Sequence, residues 1–299
     1  MTVTRSTFPA LLWPGIQAIF GQSYDKLDKE YTRIFDVRTS KKAYEKVAEA
    51  TGLGLAAVKS EGGSILYDTP SPGAMSVFTH VTYGLGYIIT REAEEDNQYQ
   101  EVAESNAASL PWSMLTTKEI VHANILNRGF NSSYVGGDGQ PLFSASHPVA
   151  TGTFSNIITA ADLSEVSLED GLSTLMAATN SAGLPIALRA VRLIVSPSQI
   201  FNATRILQSD SRVGTANNDL NAIKTLGLVP EIVVNHYLTD TDAWYLQTNA
   251  PNGLISYQRR ALELRDDSDF DTENHKHKAT ERYSAGWADP RAVFGNQGV

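Results

Sequence analysis

The sequence predicts an α+β fold, and three observations carry that prediction. Two β-prone runs stand in GGSILYDTPSPGAMSVFTHVTYGLGYIIT, joined by a Pro- and Gly-rich turn at Thr69 to Ala74. From about Gln100 to Phe130, apolar residues recur at helical intervals over an uncommon length. From Val229 onward short strands alternate with turns and end in a long strand, Lys276 to Trp287.

The elements follow in chain order. Residues 1 to about 56 form a mixed lead-in, in which Tyr24, Leu27, Tyr31 and Ile34 fall at helical spacing within the charge-alternating stretch from Ser23 to Glu49. Gly63 to Tyr67 and Met75 to Tyr83 then read as the two strands of a hairpin. At about 3.3 Å per residue the longer strand reaches roughly 30 Å. A two-stranded ribbon of that length is marginal by itself, so Ile65, Tyr67, Phe78, Val81 and Tyr83 require a surface to pack on: later elements of the same chain, or another subunit.

The long helix has a cap in Asn97 with Gln100 reaching back, and a stripe of Ala103, Ala107, Leu110, Met114, Val121 and Ile125. Gly129 with Asn131 stops it. About thirty residues at ~1.5 Å each make a rod near 45 Å, with a bend or break expected at Pro111. Ser167 and Asp170 open a second helix with Leu168, Leu172, Leu175, Met176 and Thr179 on one face, closed by Gly183 and Pro185. The strand Val191 to Val195 follows, and Ser196, Pro197 and Gln199 supply a capping box and an N1 proline for a helix to about Gln208. Glu231 to Asn235, Ala243 to Gln247 and Leu254 to Tyr257 are short strands, the last preceded by a turn over Ala250 to Gly253. Along the terminal strand Ala279, Tyr283 and Ala285 alternate with Lys278, Arg282 and Ser284.

A chain of 299 residues can bury an ample core without staples, as one large domain or two closely joined ones. The absence of cysteine excludes thiol nucleophiles, thiolate zinc sites and disulfides. No stretch approaches ~20 consecutive apolar residues, and the start of the chain lacks the pattern of a secretory leader, so a soluble, non-secreted protein is expected. A formal charge of −9 argues against general affinity for phosphate backbones.

Candidate chemistry is sparse. Asp138, Ser144 and His147 in GGDGQPLFSASHP contain the residue types of a hydrolase triad, but no GxSxG elbow surrounds the serine. A self-tied loop, with Gly136, Gly137 and Gly139 at positive φ, accounts for the same residues. Asp267, Asp269 and Asp271 have calcium-loop spacing, yet Thr272 stands where glycine is needed and Lys278 where a bidentate Glu is needed. His275 and His277 share one strand side without a third ligand. Gly52, Gly54 and Ala57 imitate a dinucleotide fingerprint but read as a helix end and turn, with no βαβ unit around them. Glu92, Glu94, Glu95 and Asp96 are ordinary dipole partners ahead of a helix. No enzyme, metal or cofactor is expected.

THVTYGLGYIITREAEEDNQY, TTKEIVHANILNRGFN, DGQPLFSASHP, VVNHYLTDTDAWYL and DFDTENHKHKATERYSAGWADPR together resemble the major capsid proteins of tailed bacteriophages, of the Hong Kong 97-type fold, and among them the Mu-like major head subunits. The resemblance spans essentially the whole chain. It implies an N-terminal arm (1–56), an E-loop hairpin (57–90), a P-domain with the spine helix (91–190), an A-domain (191–275) and a return strand to the P-domain (276–299). It implies a subunit assembled in the host cytoplasm into pentamers and hexamers of an icosahedral virion shell around double-stranded DNA, without a membrane. Ile65, Tyr67, Phe78, Val81 and Tyr83 then become intersubunit contacts, and Gly73, Gly84 and Gly86 allow the arm to bend. Partners implied are a separate scaffolding protein, a portal and a cement protein. The type member's E-loop lysine has no counterpart between Ser60 and Thr117, which contain no lysine, so noncovalent clamps or a cement protein would stabilise the shell in its place. A tail-tube or connector subunit, and a serine hydrolase, are the alternatives.

Overall fold

The computed structural model describes residues 20, 27–49, 51–65, 67–69, 73–92, 99–150, 152–212, 219–269 and 273–299. Two four-stranded sheets and two ribbons share the chain with five described helices. Strands are β1 (Asp36–Thr39), β2 (Tyr44–Ala48), β3 (Met75–Thr79), β4 (Val81–Ile89), β5 (His147–Val149), β6 (Gly152–Phe154), β7 (Ala190–Val195), β8 (Glu231–Val234), β9 (Trp244–Thr248), β10 (Leu254–Ser268), β11 (His275–Trp287) and β12 (Val293–Asn296). Helices are α1 (Tyr31–Ile34), α2 (Tyr99–Asn127), α3 (Glu165–Met176), α4 (Ile200–Gln208) and α5 (Ala222–Leu226).

The first sheet runs β1-β10-β11-β4, and the second β12-β9-β7-β8. The second is covered on both faces. Leu193, Val195, Trp244, Leu246 and Phe294 meet Leu168, Leu172 and Leu175 of α3 and Ala203 and Ile206 of α4. The intervening residues Ile194, Val233, Tyr245 and Val293 join Leu115 and Leu126 of α2 with Tyr31, Ile34 and Phe35. Burial on both faces is why these strands read as mostly apolar runs, broken at Arg192 and Gln247, and not as alternation.

Several expectations are corrected. The hairpin is paired differently: β3 lies antiparallel to β2, with Tyr44 opposite Thr79, and β4 lies antiparallel to β11. Of the predicted strand Gly63 to Tyr67, the described residues 63–65 and 67 are in no strand. Both partners are far from the β3–β4 segment in sequence, and period-2 patterning does not encode which strand a run will meet. Among the described residues 27–49, the lead-in carries one turn of helix over the predicted spacing, then two strands; Tyr24 lies outside the described residues. Gly52, Gly54 and Ala57 follow β2, not a helix. Gly84 and Gly86 sit inside β4, opposite Thr280 and Lys278, and not in a free arm.

The long helix continues through Pro111 unbroken. Its predicted cap, Asn97, lies outside the described residues. Gly129 ends it with a reverse turn, but what demands glycine there is the Phe143 ring, 2.5 Å from where a Cβ would stand. Helix α3 starts three residues early, at a capping box of Ser164 and Ser167, and leaves Met176 exposed with Thr179 beyond its end. The proline turn after Ser196 forms as expected, yet the Ser196 hydroxyl donates to the Thr241 carbonyl and accepts no capping hydrogen bond from the turn. Strand β10 extends far past Tyr257, as the partner of β11 along its length.

Candidate functional site

Between β2 and β3 the chain leaves the body for residues 49–74 and returns antiparallel to its departure. The described part of this excursion forms neither helix nor strand. Its legs are tied where the Gly54 N–H donates to Asp68 Oδ2 at 2.7 Å, and its tip turns at Ser60–Gly63, with Gly62 at φ +75°. Apolar side chains along it face solvent: Leu55 is 80% exposed, Val58 99%, Ile65 62% and Tyr67 89%. An isolated exposed apolar residue is ordinary, but a run of them on a segment without its own core marks an interaction surface.

The root of the excursion is held by buried polar groups. Glu49 forms an ion pair with Arg291, which also pairs with Asp289 at 3.3 Å and donates through Nε to the Thr179 carbonyl. Burial pushes the Asp289 carboxyl upward against the pull of Arg291. On the other side, His80 ties the link between β1 and β2 to β11. Ser40 donates to Glu45, so its oxygen accepts from His80 Nε2 at 3.1 Å, while Ser284 faces His80 Nδ1 at 2.9 Å. Burial, and then Arg282, hold His80 below its ordinary range.

Of the five residues singled out from sequence, Ile65 and Tyr67 stand exposed on the excursion, and Val81 is half-exposed on β4. Tyr83 is half-buried, stacked on Tyr283. Phe78 differs: it is 4% exposed and packs within its own subunit against Tyr257, Ile255 and Ala288, so it is not an available contact surface. Sequence alternation identified a buried-type side chain there without indicating which chain buries it. Lys59 is also exposed, one residue ahead of the tip turn. The lysine-free interval from Ser60 to Thr117 therefore does not leave the excursion without a lysine.

The triad residues do not assemble. His147 Nδ1 lies 2.6 Å from Asp138 Oδ2, but its Nε2 faces Asn156 Oδ1 at 3.1 Å, and the Ser144 hydroxyl donates to Gln140. The residue that sequence reading missed is Asn156. Fully buried, it donates to the carbonyls of Leu142, Pro290 and Val293 and accepts from Ser144 N–H and His147. Of Gly136, Gly137 and Gly139, the last alone takes a positive φ; Gly136 is required by the Trp287 ring, 2.3 Å from a notional Cβ. This loop is a structural knot that fastens residues 138–156 to the C-terminal segment. Asn156→Ala is expected to cost about 2 kcal/mol of stability, measured by urea denaturation, because several buried groups lose partners together. Ser144→Ala is expected to cost about 1 kcal/mol or less.

A second polar cluster lies under the long helix. Lys118 Nζ reaches Glu281 at 2.5 Å and Gln258 at 2.6 Å, with both charged side chains only 2% exposed. One turn on, His122 Nδ1 donates to the Lys118 carbonyl at 2.7 Å and Nε2 accepts from Ser256 at 2.8 Å. Burial holds His122 down at about 4 and Glu119 up at about 7. Lys118, Glu119, His122 and Glu281 are buried, and among the described residues no cluster of His, Asp or Glu could hold a metal. Asp269 pairs with Lys276 instead, and Asp271 with Thr272 lies outside the described residues. No helix among the described residues is long and apolar enough to cross a membrane.

Comparison with known proteins gives a consistent picture. The sequence profile of a family described as phage capsid protein matches residues 74–296. Among solved structures the chain is similar to the capsid of an empty GTA particle, at 12% identity and a TM-score of 0.57 over 91% of this chain and 90% of that one. It is also similar to the capsid of the cyanophage P-SCSP1u, at 12% identity and a TM-score of 0.52 over 89% and 86% of the two chains. A third is a virus-like particle from Pyrococcus furiosus, at 13% identity and a TM-score of 0.50 over 94% and 97%. No curated protein matches the chain.

Proposed function

The chain belongs to the phage capsid protein family and is a major capsid protein of an icosahedral shell; from that premise we propose how copies of it are joined. Its α+β architecture is of the Hong Kong 97 type. On our reading the excursion 49–74 is the E-loop, lying across a neighbouring subunit, where main-chain and apolar contacts supply the core it lacks. The observation that carries this is the run of exposed apolar side chains from Leu53 to Tyr67, rooted in the rigid Glu49–Arg291–Asp289 cluster. The unit containing β7, β8 and β9 with α3–α5 is the A-domain, and the first sheet with α2 is the P-domain.

Copies close into pentamers and hexamers through heterologous contacts, and the closed rings make a shell around double-stranded DNA. A Mu-like affiliation, assembly in the host cytoplasm, and a separate scaffold, portal and cement protein belong to the same proposal. The subunit's work is assembly and no reaction is catalysed; Asp138, Ser144 and His147 support a loop.

Expression of the chain with its scaffold, followed by negative-stain electron microscopy, tests this directly. Closed shells are expected; stacked rings or tubes would instead make it a tail or connector subunit. Tyr67→Asp and Ile65→Asp are expected to leave the circular dichroism spectrum and thermal midpoint of the subunit unchanged while abolishing most particle yield. Wild-type yield from both would sink the clamp role of the excursion.

A further inference from the structure

The face of the first sheet turned away from α2 carries a cation cluster that its own chain leaves uncompensated. Arg260 and Arg282 stand directly opposite each other on β10 and β11. Directly opposite side chains sit about 5 Å apart at Cβ, and like charges in that position repel. Arg260 donates to Thr280 Oγ1 at 3.2 Å, which places it on the side of the sheet opposite Glu281. By strand alternation Lys278 and Arg282 share that side with Thr280. Arg259, whose Nε donates to the Lys42 carbonyl, lies next to them.

Three features set this cluster apart from a solvated charged surface. The Nε–H groups of both Arg260 and Arg282 are buried and have no hydrogen-bond acceptor. Unsatisfied buried donors on charged groups are costly, and native proteins retain few without a reason. Strand β10 shifts register on both sides of Arg260, between Gln258 and Arg260 and again before Glu263; such bulges re-aim side chains. Beside Lys278 and Thr280, β4 presents Gly86 and Gly84, which have no side chain to cover that part of the strip, while Thr82 stands opposite Arg282. Glu45 is engaged by Ser40 and Lys42, Glu281 by Lys118 on the opposite face, and Glu263, across from Thr280 on this same face, pairs with Arg265. Among the described residues, Arg259, Arg260, Lys278 and Arg282 form no ion pair. The field they make is felt by His80, which Arg282 and Arg259 disfavour from protonating.

We propose that this strip is an oxyanion site that receives carboxylates from a second copy of the chain. Guanidinium donors match carboxylate geometry, and two forks side by side suit a pair of them. Charge decides in favour of a second copy over a nucleic acid. The chain carries a formal −9, so copies brought together repel, and unmatched arginines on one copy facing carboxylates on the next offset that repulsion. The same −9 opposes a phosphate polymer.

The inference rests on the capsid reading, and the test separates the two. Wild type and the double variant Arg260→Gln/Arg282→Gln are expressed as full chains under assembly conditions. The variant is expected to keep the subunit's circular dichroism and thermal midpoint, the latter unchanged or raised, while particle yield falls about tenfold or more. Wild-type yield from the double variant would overturn the proposal. Normal particles together with weakened retardation of duplex DNA would also overturn it, assigning the strip to phosphate. A second measurement needs no variant. Carbodiimide coupling of wild-type particles assembled from mixed ¹⁴N and ¹⁵N subunits should yield a peptide joining Lys278 to a carboxylate of a differently labelled copy, and its absence overturns the proposal even if the variant fails to fold. Failure of wild type itself to form particles would sink the capsid reading and this inference with it.

Discussion

Lys118→Ala is expected to destabilise the folded subunit by about 3–5 kcal/mol, the cost of leaving a buried carboxylate without its partner. Among its described hydrogen-bond partners Glu281 would then keep the Gln258 amide. The loss extends beyond the ion pair, because the Lys118 ammonium also lies 4.9 Å from the Tyr31 ring centre and 5.0 Å from that of Tyr283. Lys118→Met combined with Glu281→Leu removes both charges, and is expected to be clearly more stable than Lys118→Ala. Equilibrium denaturation of the three proteins measures this, and equal stability of the single and double variants would show that the pair does not act as a unit. We interpret the pair as a register device: an apolar stripe tolerates sliding of α2 along the sheet, whereas a lysine that must meet Glu281 and Gln258 together does not.

His122→Gln is expected to change how subunit stability depends on pH. In the folded chain His122 titrates at about 4, below the ordinary value of 6.5, because burial disfavours its charge. The unfolded state therefore binds the extra proton first, and stability falls as pH drops from about 6.5 to about 4, by about 3 kcal/mol in full. Glu119 works in the opposite direction. Burial raises it to about 7 from 4.5, so the folded state holds its proton longer and stability falls as pH rises through that interval. The two slopes oppose each other between about pH 4.5 and 6.5, which leaves wild type nearly flat there as far as this pair is concerned. Removing His122 exposes the Glu119 slope, so the variant should lose stability on going from pH 4.5 to 7. Glu119→Gln should show the reverse, losing stability on acidification. Urea midpoints across that range decide it, and parallel curves for all three proteins would refute the assignment.

Much of this architecture was legible because its signals are local. The long helix, the strand ending at Val195, the proline turn after it and the strand ending at Trp287 were each written within a few residues of their own boundaries. The polar cluster under α2 was not legible. Lys118 falls at the spacing of the apolar stripe, between Met114 and Val121, but a charged residue in a stripe names no partner, and only packing against Ser256, Gln258 and Glu281 shows how Lys118 and His122 are buried. Asn156 was missed for a similar reason: three of its acceptors are carbonyls, two of them more than a hundred residues away, and a carbonyl leaves no mark in a sequence.

By itself the sequence determined the α+β class, the absence of thiol chemistry, the helix and strand types, and a set of apolar residues needing partners. The tertiary structure alone decided who those partners are. It placed Phe78 inside its own subunit and left Tyr67 in solvent, and it moved the excursion to the stretch between β2 and β3. The physical reason is that side-chain chemistry states how much surface must be buried, whereas strand pairing between residues such as Tyr44 and Thr79, or Tyr83 and Glu281, is settled only when the whole chain competes for the same edges.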